Sequence, residues 1–157
     1  MPGDRIDVKE VSITSEDASG LLGELNAALT RITGASGEAS FAAEDVADAR
    51  GVFVIAYVNG EALGCGALRP LSERTAEIKR VYARPNAIGI GSAIVKALEE
   101  KARILGYTEL VLETRKVNAA AVAFYMKLGY LPCPNFGKYV GREDAVCMSK
   151  WISYKAK

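Results

Sequence analysis

Between Glu77 and Leu105 the chain reads EIKRVYARPNAIGIGSAIVKALEEKARIL. A strand-like stretch passes through a Pro/Asn/Gly loop straight into an amphipathic pattern that opens on glycine and serine. Ile94, Val95, Leu98, Ala102 and Leu105 fall on one stripe of that helix and Lys96, Glu99, Glu100, Lys101 and Arg103 on the other. Gly106 marks its stop, and Tyr107 to Thr114, with Leu110-Val111-Leu112 at the centre, reads as a buried strand. A strand reached from another strand by way of a helix is a crossover, so this segment commits the chain to a sheet with a parallel pair and a helix packed on it.

The loop between the first strand and the helix is a place to hold an anion. The first four N–H groups of a helix lack intrahelical partners and carry the positive end of its dipole, and glycine lets a ligand approach the backbone. Gly89, Gly91 and Ser92 stand there. The loop lacks the third glycine of a dinucleotide fingerprint, and the chain has no GxxxxGK[ST] segment. Taken bare, it fits an ordinary strand-to-helix turn as well as a phosphate seat.

The remaining elements fall around this unit. Ile6 to Ser12 reads as a first strand, and Thr14 with Asp17 three residues on resembles a capping box before Leu21, Leu22, Leu25, Ala28, Leu29 and Ile32 at helical spacing. Gly34 to Ser40 reads as a surface loop and Phe41 to Ala49 as a short helical pattern. Val52 to Val58 and Ala62 to Leu68 flank Asn59-Gly60, a two-residue hairpin signal, and Thr75 to Ala83 follows as the third strand of a meander. That third strand changes phase: Ile78 is apolar, Arg80 is not, and Val81 and Ala83 resume one residue late. A β-bulge near Arg80 explains the shift; an exposed Arg80 on a polar face is the alternative. Asn118 to Leu128 is a second helix, closed by Gly129; only Lys127 in it is charged, which predicts that it is largely buried. Tyr130 to Phe136 and Ala145 to Ile152 are the last strands, and Pro132 and Pro134 confine the first of them to an edge or a bulge.

Composition narrows the chemistry. With 157 residues, half of them hydrophobic (50%) and a quarter charged (25%), the chain is sized for a single domain over residues 1–157. A net charge of +1 without long charged runs argues against a nucleic-acid or membrane-surface partner. No apolar run approaches the roughly 18–20 residues of a membrane span, and MPGDRIDVKE lacks a signal-peptide core, so a cytoplasmic protein is expected. Cys65, Cys133 and Cys147 form no CxxC pair, which suggests reduced thiols and no metal cluster. The chain has 0 histidines. Ser-His-Asp, Cys-His and HExxH chemistry are therefore excluded, and proton transfer must use carboxylate, tyrosine, lysine, cysteine or water.

Two segments resemble the GNAT superfamily of acetyl-CoA-dependent N-acetyltransferases. Glu77-Ile78-Lys79-Arg80-Val81-Tyr82-Ala83-Arg84-Pro85 leading to Gly89-Ile90-Gly91-Ser92-Ala93-Ile94-Val95 is similar to that family's bulged strand, pyrophosphate loop and following helix. Asn118-Ala119-Ala120-Ala121-Val122-Ala123-Phe124-Tyr125-Met126-Lys127-Leu128-Gly129-Tyr130 is similar to its N…A…FYxKxGF helix, the more specific of the two. The resemblance implies a mixed α/β (α+β) fold: an N-terminal strand and helices, an antiparallel meander, a βαβ crossover and a C-terminal hairpin. It implies acetyl-CoA as cofactor, with CoA as product, and a small-molecule primary amine as acceptor; a homodimer is compatible with it.

By the same resemblance Val81, Tyr82 and Ala83 would run beside the pantetheine, and Asn86, Ala87, Ile88, Gly89, Ile90, Gly91, Ser92 and Ala93 would hold the pyrophosphate. Asn118 would bond the cofactor or cap its helix. The Val81 N–H would face the oxyanion, Glu77 would serve as base, directly or through water, and Tyr125 would serve as acid toward the departing thiolate and also contact the cofactor. The alternatives for these two are a solvent-facing glutamate and a core aromatic. The loop departs from the family pattern: Asn86 stands where Gln or Arg is usual, and no basic side chain lies between Pro85 and Gly91, leaving Arg84 or Lys96 to assist. Pro134 to Gly141 corresponds to the acceptor loop, where Lys138, and Arg142 just beyond, would suit an amino-acid-like acceptor. An acyl-CoA-binding module without turnover is the alternative function.

Overall fold

The computed structural model describes residues 5–36, 49–85 and 87–152. One seven-stranded sheet runs through it in the order β1-β2-β3-β4-β5-β7-β6. The strands are β1 (Asp7–Glu10), β2 (Val52–Val58), β3 (Glu61–Pro70), β4 (Thr75–Ala83), β5 (Glu109–Arg115), β6 (Leu131–Cys133) and β7 (Ala145–Trp151). The helices described are α1 (Glu16–Thr33), α2 (Ile90–Ile104) and α3 (Ala119–Lys127). Every neighbouring pair is antiparallel except β4 and β5, the parallel pair that α2 connects. The expected mixed sheet with meander, crossover and C-terminal strand pair is thus present. Among the described residues no helix is long and apolar enough to cross a membrane. Asn86 and the short helix expected before Ala49 lie outside the described residues.

Two hydrophobic layers cover the sheet. On one face α2 buries Ile90, Ile94, Val95, Leu98 and Ala102 against Val54, Leu68, Ala76, Ile78 and Leu110. On the other α1 sets Ala18 and Leu21 against Phe53, Ile55, Cys65 and Ala67. Close approach of α2 to β3 depends on two glycines. A Cβ at Gly66 would stand 2.6 Å from Cγ2 of Ile94, and one at Gly64 2.5 Å from the Tyr82 carbonyl oxygen.

Local chemistry explains most boundaries. Asn59 and Gly60 both have positive φ (51° and 82°), as a two-residue turn matched to strand twist requires. Both α2 and α3 end in a Schellman arrangement. Gly106 N–H donates to the Arg103 carbonyl and Tyr107 N–H to that of Ala102; Gly129 and Tyr130 do the same toward Met126 and Tyr125.

Three expectations need correction. The cap of α1 is Ser15, whose side chain accepts from Ala18 N–H, while Thr14 bonds Ser12 instead. Glu99 does not lie on the solvent stripe of α2: it is 6% exposed and accepts from the Tyr130 hydroxyl (2.8 Å) and Lys150 Nζ (3.1 Å). Helix α3 is not largely buried. Only Tyr125 is buried, because the helix is apolar mainly through alanine, whose small surface gains little from burial and tolerates water.

Candidate active site

Strands β4 and β5 pair only from Thr75↔Glu109 to Glu77↔Val111. Beyond that point they part, and a cleft opens between them. It is lined by Lys79, Arg80 and Val81 of β4 and by Leu112 to Arg115 of β5, with Leu25 and Leu29 of α1 on one side. Asn118, Ala121 and Tyr125 of α3 stand on the other.

The predicted bulge is present on the cleft wall. Cys65 is registered with Tyr82 and Ala67 with Lys79, so Gly66 alone stands opposite both Arg80 and Val81. Arg80 takes φ +57°, a left-handed conformation that costs a bulky residue on the order of 1 kcal/mol or more. Its guanidinium donates to the Ser36 carbonyl at 3.0 Å and to Asn26 Oδ1. Arg80 is thus tied to the α1 side rather than simply exposed. The bulge also keeps Val81 and Ala83 on the α2 face of the sheet while Tyr82 packs beside α1.

Downstream, the Ala87 N–H donates to the Arg84 carbonyl, Ile88 is exposed, and Gly89 caps α2 at φ 78° with no side-chain hydrogen bond. Ile90, Gly91, Ser92 and Ala93 form the first turn, which contains no acidic residue. Gly91 has a packing reason as well as room for a ligand, since a Cβ there would meet the Phe124 ring at 3.1 Å. Arg84 is engaged elsewhere: it forks onto Glu24 at 3.1 and 2.9 Å, holding that carboxyl below its ordinary pKa. The Tyr82 hydroxyl also donates to Glu24 (3.0 Å), so its side chain points away from the loop.

Asn118 caps α3, accepting from Ala121 N–H at 3.3 Å, and lines the cleft. Tyr125 packs edge-on to Phe124 and Tyr130, with centroids 5.0 and 5.8 Å away, and burial pushes its phenol well above the usual tyrosine range. Tyr125 also lines the cleft, and among the described residues its hydroxyl is not held by a hydrogen bond.

Glu77 is not a solvent-facing residue. It is 2% exposed, at the apex where β4 and β5 part, and it does not line the cleft. Its Oε1 lies 3.3 Å from Arg69 Nε; its Oε2 accepts from the Tyr139 hydroxyl at 3.1 Å and lies 3.6 Å from Lys79 Nζ. Lys79 Nζ in turn donates to the Tyr139 hydroxyl at 3.0 Å. Burial, with Lys138 and Arg69 nearby, lowers the Lys79 pKa to about 8 against the opposing charge of Glu77. Lys79 and Tyr139 were missed from the sequence. The two-residue spacing of Glu77 and Lys79 on a strand puts them on one face and was a usable signal; Tyr139 lies in the loop read as the acceptor loop, but nothing local pointed to its contacts with Glu77 and Lys79.

In the loop before β7, Arg142 closes on Asp144 with two 3.0 Å bonds, and Lys138 is exposed. Cys65 is buried, its thiol donates to the Arg80 carbonyl at 3.4 Å, and burial pushes its pKa up to about 12, far from a thiolate nucleophile.

Residues 24–130 match the model of the acetyltransferase (GNAT) family. An IAA acetyltransferase of Azospirillum brasilense is 36% identical over 90 residues, 55% of this chain and 59% of that protein. The chain therefore spans less than two thirds of this relative's length. Among solved structures, a candidate acyl-CoA N-acyltransferase of Klebsiella pneumoniae superposes with a TM-score of 0.79 at 27% identity, over 94% of this chain and 97% of that one. A GNAT family acetyltransferase of Elizabethkingia anophelis with acetyl-CoA bound has a TM-score of 0.69 at 19% identity, over 94% and 99%, a likeness of fold.

Proposed function

This chain belongs to the acetyltransferase (GNAT) family, and from that premise we propose that it transfers the acetyl group of acetyl-CoA to the primary amine of a small molecule by direct attack. The observation that carries this reading is the meeting of three features on one cleft: the bulge at Arg80 and Val81, the capping Asn118 and the unbonded Tyr125 hydroxyl. The uncapped first turn of α2 supports a pyrophosphate seat, since its backbone N–H groups have no side-chain acceptor. With Arg84 committed to Glu24, the backbone and helix dipole carry that seat, from Ala87 to Ala93. The acetyl-CoA-bound relative supports the identity of the donor.

In this reading the amine nitrogen attacks the thioester carbon, and the Val81 N–H, at the bulge, faces the developing oxyanion. Collapse re-forms the carbonyl and expels the thiolate. Tyr125, kept protonated by burial, donates its proton to sulfur. Glu77, enclosed by Arg69, Lys79 and Tyr139, would act as base through Lys79, the one of these that can exchange a proton and lines the cleft. A carboxylate on the acceptor would meet Lys138, since Arg142 is closed on Asp144.

The test pairs melting curves with a turnover assay. Acetyl-CoA at 100 times its dissociation constant should stabilise the protein by about 2.7 kcal/mol, while NAD and ATP do not. Release of CoA in the presence of phenethylamine, putrescine or an amino-acid ester completes the test. Stabilisation by NAD in place of acetyl-CoA refutes the reading, and binding of acetyl-CoA without turnover of any amine supports a binding module instead.

A further inference from the structure

We propose that Lys79 takes the proton from the acceptor amine, with Tyr139 and Glu77 as the positioning residues that hold it for this task. The inference rests on the acetyl-transfer reading and deepens its proton-transfer step. Of the three, Lys79 alone lines the cleft. Tyr139 is 4% and Glu77 2% exposed, and both sit behind it.

The direction of the hydrogen bonds decides the roles. The single hydroxyl proton of Tyr139 is committed to Glu77 Oε2, so its oxygen has only lone pairs to offer Lys79. Lys79 therefore donates to Tyr139 whether it is an ammonium or a neutral amine. A neutral Lys79 amine carries a lone pair that can accept a proton, and Lys79 is a residue of the cleft wall.

Burial, more than any single charge, pulls Lys79 toward the neutral form. Glu77 supports the ammonium, while burial, Lys138 from the loop before β7 and Arg69 from β3 oppose it. Glu113 and Arg115 face the same cleft from β5 as an ion pair, and the described α1 residues lining the cleft, Leu25, Leu29 and Thr33, carry no charge. Arginine does not deprotonate in this range, so among the described cations lining the cleft, Lys79, Arg80 and Arg115, Lys79 is the one that can release a proton. A lysine tuned to about 8 is suited to general-base work near neutral pH.

The protons balance. An acceptor ammonium loses one proton to the neutral Lys79 amine, which becomes an ammonium and returns the proton to solvent. The freed nitrogen forms the C–N bond as the carbonyl π pair moves to oxygen. When the C–S bond breaks, its electron pair leaves on sulfur and takes the Tyr125 proton. The second nitrogen proton is lost to solvent, and solvent restores Tyr125.

The deciding experiment is the pH dependence of kcat/KM for the whole protein with acetyl-CoA and two turned-over amines of different basicity. The parent should show an ascending limb near pH 8 that stays fixed when the amine is changed, beside one that moves with the amine. Lys79→Arg keeps the charge and cannot act as base; it should bind acetyl-CoA normally, lose roughly 10²-fold or more in kcat/KM, and lose the fixed limb. Glu77→Gln removes the charge that supports the ammonium, so the fixed limb should move to lower pH. A fixed limb unchanged in both variants overturns the inference while leaving acetyl transfer intact, whereas a parent that turns over no amine overturns the underlying reading. Should arginine not fit, NMR titration of the parent's 13C-labelled lysines, with Lys79→Met for assignment, reads the same group without turnover. A Lys79 signal titrating above pH 10 refutes the proposal.

Discussion

Replacing Tyr125 and Tyr130 by phenylalanine, one at a time, removes one oxygen from each of two rings that touch edge to face, 5.8 Å apart and at 77°. The two oxygens have opposite surroundings. That of Tyr130 donates at 2.8 Å to the buried carboxylate of Glu99, which among the described residues keeps only Lys150 Nζ at 3.1 Å once the hydroxyl is gone. A hydrogen bond to a charged group contributes about 1.5–3 kcal/mol. In a domain of this size each kcal/mol moves the melting temperature by roughly 2–4 °C, so Tyr130→Phe should melt roughly 3–12 °C lower. The Tyr125 hydroxyl has no such partner among the described residues, and its loss should cost less than about 1 kcal/mol. Turnover should divide the other way. Tyr125→Phe should lose roughly 10²-fold or more in kcat, equivalent to about 2.7 kcal/mol of barrier, with acetyl-CoA affinity retained, while Tyr130→Phe stays near the parent rate below its melting point. Calorimetry, acetyl-CoA titration and a CoA-release assay measure the three quantities. Equal stability losses would refute the reading of the two environments, and an unchanged kcat in Tyr125→Phe would return that residue to packing.

Two further outcomes follow from the geometry. Gly66→Ala would place a methyl 2.6 Å from Ile94 Cγ2 and 3.1 Å from Leu98 Cδ1, and overpacking of this kind should lower the free energy of urea unfolding by about 1–3 kcal/mol. Lys79, lowered from 10.5 to about 8 in the folded protein, binds fewer protons there than in the unfolded chain between those values, so its contribution to stability rises as pH increases through that window. The stability difference between parent and Lys79→Met, from urea midpoints at several pH values, should shift toward the parent by up to roughly 3 kcal/mol between pH 8 and 10.5; a flat difference would contradict the burial of Lys79.

What could be read from the sequence was whatever local chemistry enforces. Asn59-Gly60 fixed a hairpin because both positions need positive φ, and Gly106 and Gly129 marked helix ends for the same reason. The phase change across Arg80 revealed the bulge because side chains alternate strictly along a strand. The helix marked by the N…A…FYxKxGF pattern is the one that brings Tyr125 to the cleft. Residues that meet across long stretches of chain were not. Glu99 belongs by helical spacing to a solvent stripe, and only the arrival of Tyr130 and Lys150, 31 and 51 residues later, makes it a buried anion. Tyr139 reaches Lys79 over 60 residues. The exposure of α3 was misjudged because a scarcity of charge was taken for burial, although alanine is indifferent to water. Ser15 displaced Thr14 as cap by one residue, within the usual uncertainty of helix ends.

The cleft itself depends on two features of β4 that act together. Pairing with β5 stops at Glu77↔Val111, and three residues later the bulge turns Arg80 toward α1. A strand that merely lost its partner would expose an edge; here the far side is held by α1 instead. Arg80 bonds Asn26 and Ser36, and Tyr82 and Arg84 both bond Glu24, so the segment after the bulge is tied to that helix and the loop after it at three points. Leu25 and Leu29, which form the α1 wall of the cleft, lie within the same turns as Glu24 and Asn26. Position of that wall and backbone geometry at Val81 are therefore set by one network. The strain of a left-handed Arg80 persists because these bonds offset it, which places the strained backbone beside the atom that would face the oxyanion.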